Sequence, residues 1–438
     1  MKIENLKGIA EEILRRVDKG FDAQVDISAG RTTSIRFGDN AITQNAVGER
    51  TEITLEVARE GRRGTASTNK EDAADLEKLV ASAEAIATQS PVDPEHMPPL
   101  EPCEYIETPQ RYFTETAELS PQTIVDHISI VVGMAKSRGF RASGLYQVGA
   151  KHQVIANSRG LRAEDSFTHI EYSCSIAGES GSGYANTTAE SIDSIDPETL
   201  ARRAFGTAVA AQNPRKIDPG DYNVVLAPQA VMDLLEYFTY FLSRRDADEG
   251  TNAFAGKLGE RIFSELIDIS VGLPDPTMPP PPFGDEALPV RPTSWVRAGR
   301  LERLPMTRFW AKERGDSPDA IKWPFTISGG DATIEQLAAV CGKGLLVQRF
   351  WYIEEVDARE MLLTGMTRDG VFEIENGEIA RPVRNLRFNE SPMVALANVL
   401  ALGKPIRVGS YASEVPYWAK VPAMAIRDFT FSSNTDSV

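Results

Sequence analysis

The sequence predicts an α+β protein with a strand-rich N-terminal region, flanked by helices, and a larger C-terminal region built on sheets. Apolar residues recur at helical spacing in residues 1–17, and they alternate with polar residues from position 23 onward. Helix followed by alternating strands occurs at residues 1–70 and again at 122–186, the pattern that an internal duplication would leave.

Residues 1–213 are predicted to form the N-terminal α+β domain. Its first half contains a helix at 1–17, four or more strands with turns at 29–30, 38–40, 48 and 60–61, a helix at 70–87, and a proline-bearing connector at 91–109. Its second half contains a helix at 124–136, a hairpin formed by 145–148 and 152–160, a strand at 167–177, and a helix at 200–211.

The stretch from Gly178 to Tyr184 is the richest in glycine. It lacks the Lys-Ser/Thr end of a phosphate-binding P-loop, so it is predicted to be an ordinary loop or, alternatively, a tip beside a ligand cleft. Residues 214–220 form a linker, and they mark the main domain boundary.

Residues 221–438 are predicted to form the C-terminal α+β domain. A short strand at 223–226 leads into a helix from Pro228, with buried positions through Leu242. After a polar loop at 243–250, an apolar stripe at 254–266 predicts a second helix. Gly256 and Gly259 lie in that stripe, where a partner backbone could approach closely.

The rest of the domain is predicted to consist of short elements. Residues 274–282 form an extended surface segment, and Trp310, Trp323 and Phe325 form a core or interface cluster around a charged loop at 312–319. The predicted helices lie at 333–340 and 393–402, and the predicted strands at 344–347 and 421–426. Asn376-Gly377, between two alternating segments, predicts a type I′ hairpin turn.

Composition excludes several classes of function. A formal net charge of −16 and a pI near 4.9 argue against a nucleic-acid partner. Three distant cysteines, Cys103, Cys174 and Cys341, imply no disulfide framework and suggest a reducing compartment. The first 17 residues are too charged for a signal peptide, and no apolar run reaches membrane length. We expect a cytoplasmic protein.

Histidines are scarce, and no pair has metal-motif spacing. The four are His96, His127, His152 and His169, so neither H-E-x-x-H nor H-E-x-x-x-H occurs. We expect His127 to be structural, whereas His152 and His169 lie on strands that could be neighbours and could form a two-histidine metal site. No nucleophile elbow of the form G-x-S-x-G occurs.

Several stretches resemble the TldD/PmbA family of metallopeptidases, also called modulators of DNA gyrase. They are residues 253–260 and 264–266, the hairpin at 375–383, and the Asn-Ser-Arg-Gly sequence at 157–160, for which an ordinary turn between strands is the simpler interpretation. The family's catalytic subunit carries H-E-x-x-x-H on the helix before the first of these stretches. An ungapped count places Leu235, Glu236 and Tyr240 on that motif, and a one-residue shift would place Glu236 and Phe241 on the histidine positions.

In either alignment the imidazoles that a zinc site requires are missing. The resemblance therefore implies the PmbA (TldE) type, with no catalytic, metal or cofactor residue on this chain. Without a metal, Glu236 is expected to be an exposed helix residue or an interface partner.

The resemblance also implies a partner. The chain would be the non-catalytic subunit of a cytoplasmic TldD/TldE-type metallopeptidase that degrades or matures peptides, with zinc on a TldD-type subunit. The helix ending at Leu242 would face the chamber or the dimer seam, with Tyr237 and Tyr240 filling space where the partner keeps ligands. The alternatives are a homodimeric peptide- or metabolite-binding protein without a peptidase partner, and an independent enzyme that uses His152 and His169.

Overall fold

The computed structural model describes residues 2–410 and 418–435. Helices account for 26% and strands for 41% of the protein, and both occur throughout the chain, which confirms the predicted α+β class. The described residues form three sheets, one N-terminal and two C-terminal. None of the helices in these ranges is both long and apolar enough to span a membrane.

The N-terminal sheet is antiparallel, and helices cover one of its faces. Its strands are β1 (Asp22–Gly38), β2 (Ala41–Arg59), β3 (Arg62–Thr68), β4 (Arg141–Asn157), β5 (Arg162–Ala177) and β6 (Ser182–Ala189), in the order β3-β2-β1-β4-β5-β6. The helices are α1 (Ile3–Arg16), α2 (Ala73–Gln89), α3 (Thr114–Ala117), α4 (Pro121–Lys136) and α5 (Pro197–Ala210). Val25 and Ile27 pack with α1 and α2, whereas Ile35 and Phe37 pack with α4 and α5. Because alternate residues of a strand share a face, α1, α2, α4 and α5 lie on one side of the sheet.

The predicted turns at 29–30 and 48 are wrong, because β1 and β2 run through them as continuous strands. Gly30 pairs with Arg50 on one side and with Lys151 on the other. A Cβ atom at Gly30 would lie 2.8 Å from the Ala150 carbonyl oxygen, so this glycine permits a close backbone approach. The turns at 38–40 and 60–61 are confirmed, with Asp39, Asn40 and Glu60 at positive φ.

The predicted hairpin within residues 145–160 is also wrong, because β4 is one continuous strand. Gly149 lies opposite His169 on β5, and a Cβ atom there would collide with the His169 ring. The glycine therefore makes room for an imidazole rather than forming a turn.

The C-terminal region contains a second sheet and a barrel. Its strands are β7 (Gly220–Leu226), β8 (Ile269–Val271), β9 (Thr293–Arg297), β10 (Arg300–Leu301), β11 (Phe325–Ile327), β12 (Gly344–Asp357), β13 (Leu362–Glu375), β14 (Glu378–Pro382), β15 (Leu386–Glu390), β16 (Val399–Leu402), β17 (Ile406–Gly409), β18 (Trp418–Val421) and β19 (Met424–Asn434). Its helices are α6 (Pro228–Phe241), α7 (Arg244–Asp248), α8 (Arg308–Arg314), α9 (Ile334–Cys341) and α10 (Pro392–Ala397). β12, β7, β19, β15 and β13 close into a five-stranded barrel, because β13 also pairs with β12. β8–β11, β17 and β18 form the second sheet.

The predicted second helix at 254–266 does not form. Gly256 and Gly259 have φ of +71° and +84°, which interrupt a right-handed helix, and open space rather than a partner backbone surrounds them. The backbone instead bonds to the β9–β10 hairpin, for example from Gly259 N–H to the Leu301 carbonyl at 2.7 Å. Leu258 and Leu266 are exposed.

Four further predictions differ from the structure. α7 forms within the predicted loop at 243–250, α8 extends into the predicted loop at 312–319 as far as Arg314, and the predicted helix at 393–402 is α10 followed by β16. Within the predicted surface segment at 274–282, Met278, Pro279 and Pro280 are buried. The Asn376-Gly377 turn is confirmed, because both residues have positive φ between β13 and β14.

Candidate functional site

Helix α6 lies between the barrel and the second sheet. Pro228 starts it at the first turn, and eleven of its 14 residues are buried. It contacts β12 of the barrel and β17 and β18 of the second sheet. A polar side chain in such a helix requires a partner, because an unsatisfied buried polar group is costly.

One side of α6 carries a polar row. Gln229, Asp233, Glu236 and Tyr240 follow one another at spacings of four, three and four residues, which places them on one face. Gln229 also donates to the Gly409 carbonyl at the end of β17, at 3.3 Å. The row therefore joins α6 to the second sheet.

Asp233 is a fully buried carboxylate with two direct hydrogen bonds. Gln229 Nε2 donates to Oδ1 at 2.7 Å, and the Phe350 backbone N–H donates to Oδ2 at 2.9 Å. Burial raises the pKa of Asp233 to about 7, although the positive charge of Arg349 and these hydrogen bonds oppose the rise. Asp233 therefore changes charge near neutral pH.

Glu236 is buried, which corrects the expectation of an exposed helix residue. The residue is 4% exposed, and Ser410 Oγ donates to Oε2 at 2.5 Å. Burial raises the pKa of Glu236, and the Ser410 hydrogen bond partly offsets the rise. The carboxylate is thus held by a hydroxyl at the end of β17.

The other two positions of the motif differ sharply from each other. Leu235 is buried in the apolar core, whereas Tyr240 is 59% exposed. Tyr237 donates its hydroxyl proton to the Ile353 carbonyl at 2.6 Å and packs edge-on against Tyr240. In the shifted alignment Phe241 is buried and equally without a donor atom.

This set of side chains does not fit zinc. Leu235 offers only aliphatic carbon, the Glu236 carboxylate accepts from Ser410, and Tyr240 is a neutral phenol rather than an imidazole. Across residues 2–410 and 418–435, no three His, Cys, Asp or Glu side chains come together as a metal site.

His152 and His169 do not converge. His152 lies opposite Ser166 and His169 lies opposite Gly149, so the two histidines are offset by three residues along the sheet. An odd offset places them on opposite faces. His152 Nδ1 lies 2.7 Å from Ser166 Oγ, and burial lowers the pKa of His169 to about 4.

His127 has the structural role expected of it. Its Nδ1 lies 3.1 Å from the Tyr146 hydroxyl, and its carbonyl accepts from Tyr172 at 3.2 Å. These contacts tie α4 to β4 and β5.

A second polar cluster lies where the N-terminal sheet meets the barrel. Ser182 Oγ donates to Asp369 Oδ1 at 2.6 Å, and Asp369 Oδ2 lies 3.4 Å from Arg349 Nε. The Arg349 guanidinium also lies over the rings of Tyr184 and Trp351. Because the positive charge of Arg349 also opposes the rise in the pKa of Asp233, the cluster is linked electrostatically to α6.

The glycine-rich loop borders a cavity beside this cluster. Glu179, Ser180 and Gly181 form the turn between β5 and β6, and with Asp369 and Arg384 they line a space of about 540 Å³. The loop therefore lies beside a cleft, as the alternative interpretation predicted, and the binding of a ligand in that cleft stays a prediction.

Sequence reasoning missed Asp233, Ser410 and the Arg349 cluster. One signal was present: Asp233 and Glu236 are two carboxylates three residues apart in an otherwise apolar helix. Apart from Gln229, which donates to Asp233 from four residues away, their partners come from residues more than 100 positions away, so spacing could not identify them.

The Asn-Ser-Arg-Gly sequence at 157–160 forms the turn between β4 and β5. Asn157 Nδ2 donates to the Leu100 carbonyl at 2.8 Å, and its Oδ1 accepts from the N–H groups of Arg159 and Leu161. Ser158 Oγ accepts from the Ala23 N–H at 3.0 Å. These four residues therefore have a structural role: their hydrogen bonds join the connector at 91–109, β1 and the turn between β4 and β5.

Replacing Asn157 with alanine is expected to lower the free energy of unfolding by about 2–3 kcal/mol, because it leaves buried backbone groups unpaired. Chemical denaturation of the wild type and the variant would measure the loss. Ser180→Ala, in the turn between β5 and β6, is the control and should cost less. If Asn157→Ala lowered the free energy of unfolding no more than Ser180→Ala does, the structural role of Asn157 would be contradicted.

Comparison with known proteins places these features in a wider setting. Three family models match: PmbA/TldA metallopeptidase domain 1 at residues 23–87, the central domain at 115–212, and the C-terminal domain at 219–433. No curated protein matches the sequence.

Solved structures share the fold over nearly the whole chain. TldE from Thermococcus kodakarensis is 17% identical with a TM-score of 0.85, and the match covers 98% of this chain and 99% of that one. A protein described as a modulator of DNA gyrase from Thermotoga maritima is 18% identical, with a TM-score of 0.85 and coverage of 98% and 100%. A protein with a similar description from Bacteroides thetaiotaomicron is 18% identical, with a TM-score of 0.84 and coverage of 98% and 99%.

Proposed function

The chain belongs to the PmbA/TldD metallopeptidase family, and we propose that it is the subunit of such a peptidase that carries no zinc of its own. In this role it pairs with a TldD-type subunit that holds the zinc, and the pair cleaves peptides in the cytoplasm. The similarity to a structure named TldE supports the pairing.

The observation that carries this proposal is the environment of Leu235, Glu236 and Tyr240. A hydrolytic zinc site needs three protein ligands and an open position for water. Here one position is buried aliphatic carbon, one is a carboxylate that accepts from Ser410, and one is an exposed phenol. The polar row of α6 thus holds the helix against its neighbours instead of presenting ligands.

The structure suggests what the subunit contributes instead. α6 is fixed between the barrel and β17, and its exposed end carries Tyr240 beside Tyr237. We expect this end of the helix to form part of the chamber wall or of the contact with the partner. The subunit would also present edge strands to which the backbone of an extended peptide could pair.

Metal analysis and activity assays of separate and mixed subunits test the proposal. The purified chain is expected to contain no stoichiometric zinc and to leave peptides intact, while a mixture with a TldD-type protein should form a zinc-containing complex that cleaves them. A Leu235→His/Tyr240→His variant places histidines at the two positions that the ungapped alignment gives to the family's histidines. It should bind zinc only if these two positions belong to one metal site. Chelator-sensitive peptide cleavage by the chain alone would overturn the proposal.

A further inference from the structure

The side-chain amide of Gln229 joins three parts of the molecule. Its Nε2 donates to Asp233 Oδ1 at 2.7 Å and to the Gly409 carbonyl at 3.3 Å. The same carbonyl accepts from Asn186 Nδ2 at 3.0 Å, so α6, β17 and β6 of the N-terminal sheet meet at one oxygen atom. Gln229 Oε1, by contrast, is buried and accepts from no group in the described part of the chain. The amide therefore uses only its donor side.

The charge of Asp233 determines which way this amide points. Both carboxylate oxygens face N–H groups, because Oδ1 faces Gln229 Nε2 and Oδ2 faces the Phe350 backbone N–H. A carboxylate accepts from both donors, but a protonated carboxyl group has an O–H that needs an acceptor of its own. The Phe350 N–H is fixed by the backbone of β12, whereas a side-chain amide exchanges its two ends by rotating. Gln229 is therefore the neighbour that can turn an acceptor towards a protonated Asp233.

We propose that Gln229 is a proton-operated switch between α6 and β17. When Asp233 Oδ1 takes up a proton from solvent, the Gln229 amide rotates, and its Oε1 accepts from the new O–H group. The amide oxygen then faces the Gly409 carbonyl, so the hydrogen bond from α6 to β17 at this point is lost, and Asn186 alone donates to that carbonyl. Release of the proton restores the bond. The switch stands independently of the zinc-less role.

The charges around Asp233 place the switch near neutral pH. Burial raises the pKa of Asp233 to about 7; Arg349 of β12 opposes the rise, and Glu236 on the same helix adds to it. α10 has no charged residue, and Glu354, Glu355 and Asp357 of β12 are exposed. The charged residues of the other elements that contact α6 have partners elsewhere: Arg407 of β17 with Glu190, Lys420 of β18 with Asp275, and Asp221 of β7 with Thr430.

The switch changes one of two side-chain contacts between α6 and the end of β17. Glu236 accepts from Ser410 Oγ in both states, since this bond does not involve the Gln229 amide. α6 therefore stays in place when Asp233 is protonated. The effect is expected at the first turn of α6, which contains Gln229, and at β17.

NMR of the full-length chain, with glutamine side-chain nitrogens isotopically labelled, tests the rotation. The Gln229 amide signal, assigned with Gln229→Met, should shift with a midpoint near pH 7 in the wild type, and it should not change with pH in Asp233→Asn. Gln212 is the control, because its amide bonds only to backbone groups and the Ser180 hydroxyl. A Gln229 signal that stays constant from pH 5 to pH 8 in the wild type, or that still titrates in Asp233→Asn, would overturn the proposal.

Hydrogen exchange at equal pH tests whether the rotation loosens β17. At pH 8 the segment Ile406–Gly409 should exchange about fivefold faster in Asp233→Asn and in Gln229→Met than in the wild type, the equivalent of about 1 kcal/mol for one hydrogen bond. At pH 5 the three proteins should exchange this segment equally, because the wild type has then lost the bond as well.

Two controls separate this local effect from a change in overall stability. β3, at the far edge of the N-terminal sheet, should exchange equally in all three proteins at both pH values. Asp233→Asn is also expected to raise the free energy of unfolding at pH 8, so faster exchange of β17 in that variant cannot come from global destabilisation. Equal exchange of β17 at pH 8, or a difference that persists at pH 5, would contradict the switch.

Discussion

Replacing Arg349 with methionine is expected to lower the free energy of unfolding by about 3–5 kcal/mol, because removing one member of a buried ion pair leaves a charge without compensation. Arg349 and Asp369 are both almost fully buried, and Arg349 Nε lies 3.4 Å from Asp369 Oδ2. The same guanidinium stacks on Tyr184, a residue of the N-terminal sheet. The variant should therefore also loosen the junction between that sheet and the barrel. Denaturant unfolding and limited proteolysis near the junction would measure both effects.

Two further variants distinguish the effect of the lost charge on stability from the effect of the lost packing. Arg368→Met removes a neighbouring arginine that is 35% exposed and 4.0 Å from the same carboxylate, so it should cost well under 1 kcal/mol. The double variant Arg349→Met/Asp369→Asn should regain much of the stability, because the carboxylate that Arg349 pairs with is removed together with it and asparagine tolerates the positive φ at position 369. A double variant no more stable than Arg349→Met would show that packing, not charge, sets the cost.

The sequence identified the parts of the fold that local chemistry determines. Asn376-Gly377 forms the predicted turn because both residues adopt positive φ, and α6 begins at Pro228 as predicted. The sequence predicted α1, α2, α4 and α5 because each buries one apolar face against the sheet, whereas it did not predict the single-turn helix α3.

The wrongly predicted turns and the wrongly predicted second helix share a physical origin in glycine. Gly30 and Gly149 suggested turns, yet each lies in a long strand where another backbone or an imidazole approaches closely. Gly256 and Gly259 were accepted inside a helical stripe, yet their positive φ breaks it. A glycine permits both a turn and a close approach, and only the surrounding fold decides which of the two occurs.

The sequence predicted where the candidate site lies but not the burial and the hydrogen bonds of its side chains. Glu236 was singled out from the family resemblance, but its burial against Ser410 depends on β17 lying beside α6. Asp233 escaped notice because its partner Phe350 is 117 residues away in sequence and offers only a backbone N–H. A long-range contact to a backbone group cannot be predicted from the spacing of residues along the sequence.

Asp233 should make the protein less stable as the pH rises from about 4 to about 7. Its pKa is about 7 in the folded protein against 3.8 for an exposed aspartate. Between these values the folded state holds a proton that the unfolded state has released, so stability falls with rising pH. The difference of about three pKa units corresponds to roughly 4 kcal/mol at pH 8, where the folded state must carry the buried charge.

Asp233→Asn is the matched variant, because it keeps the shape of the side chain and removes its titration. Its amide oxygen can still accept from the Phe350 N–H, while its amide nitrogen can donate to Gln229 Oε1, which has no hydrogen-bond partner in the wild type, if the Gln229 amide rotates. We therefore expect the variant to equal the wild type near pH 4 and to exceed it by a few kcal/mol at pH 8. Urea unfolding of both proteins across this range measures the difference directly. Parallel curves, with the gap between the two proteins constant from pH 4 to pH 8, would mean that Asp233 does not titrate in the fold and that Arg349 keeps it charged throughout.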